Sequence, residues 1–190
     1  MAKTLKLAQS QLNNYKHVPE YVHPLDKTKV ELLAPERQLS RAISFAAERH
    51  INQMDKGGKP YILHCLAVMM GLNTDDPLHM AGAVLHDVVE DQGVTFERLR
   101  VLGFDEEVIA IIEGMTKRPG ETVNEYIRRA RTNPKVVQTK LSDLRHNMDP
   151  TRLKGMAEKD MVRMNKYAYM YHMLDKGYVE FSKEFDEVEA

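Results

Sequence analysis

The chain has 190 residues, enough for one domain with a substantial core and an extension, but not comfortably for two full domains. Its 27 basic and 28 acidic side chains nearly cancel, so no overall field recommends nucleic acid or a membrane surface as the partner. A single cysteine, Cys65, excludes an intrachain disulfide, and no leader-like or bilayer-length apolar run is seen, so a cytoplasmic protein is expected.

Residues 1–35 mix Lys, Asn and Tyr with Pro19, Pro24 and Pro35, and suggest an irregular arm carrying one short helix. From Glu36 the pattern turns helical, with Leu39, Ala42, Ile43, Ala46 and Ala47 on one face, up to a break at Gly57-Gly58. A second helix follows Pro60-Tyr61 and carries Leu63, Leu66, Ala67 and Met70. The segment 77–89 opens with proline and has an Ala/Val/Leu face, which predicts one buried helix. Thr95 is placed to cap a short helix ended by Gly103, although Arg98 stands where a capping-box acid would sit. Asp105 caps a run with Val108, Ile109, Ile111 and Ile112, and further helices are predicted over 122–130, 134–146 and 158–176. Strand-like alternation is nearly absent. The expected fold is therefore all-α, a compact bundle of several short helices spanning 36–178, followed by an acidic tail over 179–190.

The most informative segment is His86-Asp87-Val88-Val89-Glu90-Asp91, which sets titratable groups at the end of an apolar helix. Buried carboxylates and imidazoles cost several kcal/mol unless paired, protonated or coordinated, so a cation is the natural resolution. Neighbours on a helix diverge by about a quarter turn, so His86 and Asp87 need ligands from other segments to share one ion. His64, at the start of an apolar helix, and Asp143, interrupting the apolar face of Val136, Val137 and Leu141, are the candidates. Two imidazoles and two carboxylates suit Mn²⁺, Fe²⁺ or Zn²⁺ better than Ca²⁺, and a water activated by the ion is the expected nucleophile. Glu90 and Asp91, one turn further on, can move protons as a general acid and base. Lys140 and Asn147, at i−3 and i+4 from Asp143, and the loop Lys56-Gly57-Gly58-Lys59 can meet an anionic substrate.

Gln53…Lys56-Gly57-Gly58-Lys59-Pro60-Tyr61-Ile62-Leu63-His64, the run His86 to Asp91, Met115-Thr116-Lys117 and Lys140-Leu141-Ser142-Asp143…Asn147 stand in the order found in one family. Together they resemble the HD-type hydrolase domain of Rel/SpoT homologues, in particular the small alarmone hydrolases. The resemblance implies an HD-domain fold and a Mn²⁺-dependent enzyme removing the 3′-pyrophosphate of ppGpp or pppGpp. It implies His64, His86, Asp87 and Asp143 as metal ligands, Glu90 and Asp91 as the catalytic pair, and Lys56 and Asn147 as nucleotide contacts. One departure is Asp55, where the family usually has an arginine packed on the base; a carboxylate cannot stack as guanidinium does, although it could accept from a base edge.

Alternatives follow from Asp55. The substrate could be an adenine alarmone, NADPH, a dinucleotide or an RNA end, or the chain could be a nucleotide-binding module without catalysis. The intact pair Glu90 and Asp91 speaks against the last. Expected partners are a small nucleotide and no membrane, with nucleic acid disfavoured and a homo-oligomer left open. His79, His146 and His172, and the Met and Tyr residues of the last helix, are expected to pack. Lys59, Arg128, Arg129 and Arg131 are expected to form a solvated face.

Overall fold

The computed structural model describes residues 32–176 together with Phe181, Ser182 and Phe185. Most of the expected arm over 1–35 and of the expected tail over 179–190 lies outside the described residues. The helices are α1 (Pro35–Arg49), α2 (Ile62–Met70), α3 (Pro77–Val84), α4 (Val88–Gln92), α5 (Phe96–Val101), α6 (Glu106–Met115), α7 (Val123–Ala130), α8 (Pro134–Asn147) and α9 (Glu158–Lys176). A 3₁₀ turn, Pro150–Arg152, stands between α8 and α9. Among the described residues there is no strand, only an isolated antiparallel bridge between Met54 and Pro60, so the fold is all-α as expected. None of these helices is long and apolar enough to cross a membrane.

The starts of the helices follow local chemistry. Asp76 accepts from the amides of Leu78 and His79 and precedes Pro77 at the first helical position, so donors with no intrahelical partner are either satisfied or absent. Thr95 and Asp105 cap α5 and α6, and Thr122 forms a complete capping box with Glu125. Asn133 caps α8 ahead of Pro134.

Helix α3 sits against α1, α2 and α6. Its Ala81, Gly82 and Ala83 are fully covered, and a Cβ on Gly82 would stand 2.8 Å from the Ile111 side chain, so only small residues allow α6 so close. One core cluster joins α1 to α6, with Leu85, Val88 and Ile109 at its heart. The other joins α7, α8 and α9 through Ile127, Leu144 and Met173. The Ser142 hydroxyl, donating to the Val68 carbonyl at 2.8 Å, ties α8 to α2 across the seam between them.

Two expectations change here. The single helix predicted over 77–89 is broken: α3 ends at Val84, and α4 begins at Val88. Leu85 and Asp87 lie near ψ 0°, and the amide of Val88 reaches back only to Leu85, so the chain makes a tight turn at the histidine and aspartate. Arg129, expected in a solvated face, is largely covered and makes a two-pronged pair with Glu121, Nε to Oε1 at 2.6 Å and Nη2 to Oε2 at 2.8 Å. Its guanidinium also donates to the carbonyls of Glu113, Gly114 and Thr116, the last acceptors of α6. Arg128 and Arg131 lie over the ring of Phe181. Removing the carboxylate from this covered pair leaves a guanidinium without its counter-charge, so Glu121→Ala is expected to cost about 2–3 kcal/mol in urea unfolding.

Candidate metal centre and active site

His64 lies in the first turn of α2, His86 and Asp87 in the turn between α3 and α4, and Asp143 in the middle of α8. The structure gathers His64, His86 and Asp143 at one point and sets Asp87 against the two histidines. His64, His86 and Asp143 each offer a ligand atom within 4.8 Å of the others, and all three are buried. Asp143 Oδ1 is 3.3 Å from His64 Nε2 and 3.8 Å from His86 Nε2. Asp87 Oδ2 is 2.8 Å from His86 Nε2 and 3.6 Å from His64 Nε2. Two ligands of one ion held at about 2.1 Å stand about 3.0 Å apart at a right angle and about 3.4 Å apart in a tetrahedron, so the spacing suits one shared cation.

Hydrogen bonding points the same way. Despite those short distances, Nε2 of His64 and of His86 has no hydrogen-bond partner, although both atoms are buried. A buried polar atom left in this way calls for an explanation. His86 Nδ1 faces the Ala83 carbonyl at 2.8 Å, which keeps a proton on Nδ1 and makes Nε2, beside the carboxylates, the nitrogen from which a cation would displace the second proton. His64 Nδ1 is 2.7 Å from Nδ1 of His146, and the two rings stack at 4.9 Å. Burial, with Arg152 and His64 nearby, pushes the His146 imidazole down to about 4, so it is neutral and can accept the His64 proton. His146, expected only to pack, thus touches the site; its place at i+3 from Asp143 is the signal that could have found it.

The carboxylates are also held. Tyr61 donates its hydroxyl to Asp87 Oδ2 at 2.6 Å. Asn147 Nδ2 donates to Asp143 Oδ1 at 2.6 Å, and Lys140 Nζ to Asp143 Oδ2 at 2.9 Å. Lys140 and Asn147, expected to meet substrate, are therefore bonded to Asp143, while both still line the adjoining cavity. Burial works against the charge on Asp143, but Lys140 and the histidines more than offset it and hold the carboxyl well below its usual range.

That cavity, of about 390 Å³, is bordered by the Asp87 and Asp143 carboxylates, by Glu90 and Asp91, and by Lys56. Burial pushes the Glu90 carboxyl above the ordinary glutamate range, and the Lys117 amide, which donates to Oε1, moderates the rise. Asp55 also borders the cavity, but its oxygens are occupied: Oδ1 accepts from the amides of Gly57 and Lys59, and Oδ2 from Arg152 at 3.1 Å. The carboxylate thus brackets its own turn. Gly57 is needed there, since a Cβ would stand 2.2 Å from the Arg152 carbonyl oxygen. Arg152, Arg163 and Tyr167 also border it; sequence patterning marked neither arginine and read Tyr167, with the other Met and Tyr residues of the last helix, as packing.

Burial lowers the affinity of His86 for a proton, yet the Asp87 and Asp143 carboxylates outweigh it and raise the imidazole to about 9. The metal-free chain therefore keeps a proton that a cation must displace. Because the folded value exceeds the ordinary 6.5, the proton's stabilisation is complete below that pH and is lost as pH rises through about 9. Apparent affinity for a divalent cation is expected to rise roughly tenfold per pH unit between 7 and 9, with about one proton released per ion, as read by calorimetry in buffers of differing ionisation heat.

An all-helical bundle that brings two buried imidazoles and the Asp143 carboxylate to one point, with Asp87 beside the imidazoles, belongs to the class of helical histidine-aspartate folds. The HD domain family matches residues 42–149, and the chain belongs to that family. It is 32% identical over 143 residues to a probable guanosine-3′,5′-bis(diphosphate) 3′-pyrophosphohydrolase of Synechocystis, covering 68% of this chain and 19% of that protein. It is 34% identical over 121 residues to the enzyme of that name from Aquifex aeolicus, covering 58% of this chain and 17% of that one. A probable GTP pyrophosphokinase of Mycobacterium leprae is 32% identical over 163 residues, 77% of this chain and 20% of that protein. The chain thus spans about a fifth of the length of these curated relatives. A solved structure described as a metazoan ortholog of SpoT that hydrolyzes ppGpp shares the fold, with a TM-score of 0.62 and 22% identity over 76% of this chain and 89% of that one.

Proposed function

We propose that the chain is a Mn²⁺-dependent phosphohydrolase that removes the 3′-pyrophosphate of guanosine tetra- and pentaphosphate. The observation that carries this reading is the pair of buried, unpartnered imidazole nitrogens facing two carboxylates at the edge of a cavity that also holds Glu90 and Asp91. The named activities of the relatives supply the substrate class. His64 and His86 through Nε2, Asp87 through Oδ2 and Asp143 through Oδ1 would hold the ion. A divalent cation there supplies Lewis-acid polarisation of a phosphoryl oxygen and lowers the pKa of a water.

The chain's own residues do the rest. The bond between the ribose 3′-oxygen and phosphorus breaks, a bond from water to phosphorus forms, and one proton of that water finally replaces phosphorus on the 3′-oxygen. Glu90 and Asp91 move this proton, and Glu90, raised by burial, is suited to hold it. Tyr61, Lys140 and Asn147 orient the carboxylates, and Lys140 also adds positive charge where the phosphates collect. Lys56 meets the substrate at the loop, whereas Asp55 acts through the shape of that loop and not on the base.

A panel of ppGpp, pppGpp, pppApp, NADPH and dinucleotide tetraphosphates, assayed with Mn²⁺ for released pyrophosphate and phosphate, tests the reading. Pyrophosphate release from ppGpp well above that from pppApp is the expected result. Preference for the adenine alarmone would assign another base, and no turnover on any member would leave a binding module.

A further inference from the structure

Asp91 lies on the last turn of the five-residue helix α4, exposed to solvent. Among the described residues one side-chain hydrogen bond holds it. Gln53 Nε2 donates to Asp91 Oδ2 at 2.8 Å across a sequence separation of 38 residues. Gln53 is itself fixed: its Oε1 is 2.8 Å from Nδ1 of His50 and also accepts from Nε2 of Gln92. Were the amide turned over, its oxygen would face the Asp91 carboxylate and its NH₂ would face the Gln92 NH₂, so the two neighbours admit one orientation.

His50 is 1% exposed and packs its ring on Tyr61 at a centroid distance of 5.1 Å. Its Nε2 is buried without a partner, and its Nδ1 is nearer the Gln53 oxygen at 2.8 Å than the Gln92 Nε2 at 3.4 Å, which assigns the proton to Nδ1. His50 therefore has a single donor, and that donor is aimed at Gln53. The backbone holds the glutamine from both sides, its amide donating to the His50 carbonyl and its carbonyl accepting from the Tyr61 amide. The Gln53 and Asp91 side chains also border both the catalytic cavity and an outer cleft with Arg49 and Asn52, so their bond forms part of the wall between the two spaces.

We propose that Gln53 is a positioning residue for Asp91, holding its carboxylate toward the reacting centre, and that His50 fixes the orientation of the Gln53 amide. With Oδ2 anchored, the remaining lone pairs of Asp91 are presented to the substrate in one geometry. Small misplacements of a proton-transfer group reduce rates by up to about 10²-fold, and a tether on so short a helix guards against them. The inference rests on the assignment of Asp91 to proton transfer.

The test uses the full chain loaded with Mn²⁺ and ppGpp as probe. Gln53→Glu keeps the acceptor for His50 and Gln92 but presents an oxygen to Asp91; kcat is expected to fall at least tenfold while KM and bound Mn²⁺ stay within about twofold. Gln53→Met, of similar volume but with neither donor nor acceptor, should give the same split and serves if the glutamate variant folds poorly by circular dichroism. His50→Leu is expected to lower kcat about three- to tenfold, and His50→Asn, which restores a donor near the same place, to recover most of that loss. Wild-type kcat in both Gln53 variants, or loss of bound metal in step with rate, would overturn the proposal while leaving Asp91→Asn impaired. Full turnover in Asp91→Asn would instead overturn the assignment of Asp91, and the positioning role with it.

Discussion

Asp87→Ala is expected to remove bound metal and turnover together. The reason is charge. Asp143 is already balanced by Lys140, whose ammonium sits 2.9 Å from Oδ2, and Asn147 shares Oδ1. Asp87 has no such lysine; its partners are the Tyr61 hydroxyl and the His64 and His86 rings. Once the His86 proton is displaced, Asp87 is therefore the negative charge left over to meet a dication. Without it, a doubly positive ion would enter a pocket of near-zero net charge with two neutral imidazoles, and attraction would no longer offset dehydration. Metal analysis of the purified variant should show background Mn²⁺, and kcat/KM should fall at least about 10³-fold, or about 4 kcal/mol of transition-state stabilisation. The fold should survive, because Asp87 caps nothing with its side chain and is only partly buried. A variant that keeps its metal and its rate would refute the site.

Glu90→Gln separates chemistry from metal binding. Glu90 stands one turn beyond the ligands on α4, and its Oε1 accepts from the Lys117 amide. Glutamine keeps a carbonyl oxygen for that bond and nearly the same volume, so its place in the cavity wall should not change. What it loses is the ability to carry a proton. Turnover is expected to fall by about 10²–10⁴, the usual worth of a positioned acid or base, with Mn²⁺ content unchanged. Metal loss accompanying the drop would instead make Glu90 a ligand.

Much of the helical frame was legible because it depends on local chemistry. The Thr95 cap of α5 and the Asp105 cap of α6 lie within a few residues of what they cap. The helix over 158–176 emerged with the bounds its periodicity predicted. The failures have a common cause in distance along the chain. The apolar face of 77–89 continues smoothly through His86, so no pattern announces the break after Val84. Arg129 sits in a basic run that looks solvated until Glu121 and the end of α6 fold around it. The bracing of the turn after Asp55 was equally out of reach, because Arg152, which joins the Gly57 and Lys59 amides on its carboxylate, is 97 residues away.

Taken alone, the sequence determined the residue types of the site and the all-helical class, because clustered buried charge demands a partner and helical periodicity needs only near neighbours. Tertiary structure alone decided which atoms meet: that two Nε2 atoms lack hydrogen-bond partners, that His146 backs His64 across 82 residues, and that Lys140 is tied to a ligand. Spacing along a chain fixes the face on which a side chain lies, but its hydrogen-bond partner is chosen by whatever other helix is packed against that face.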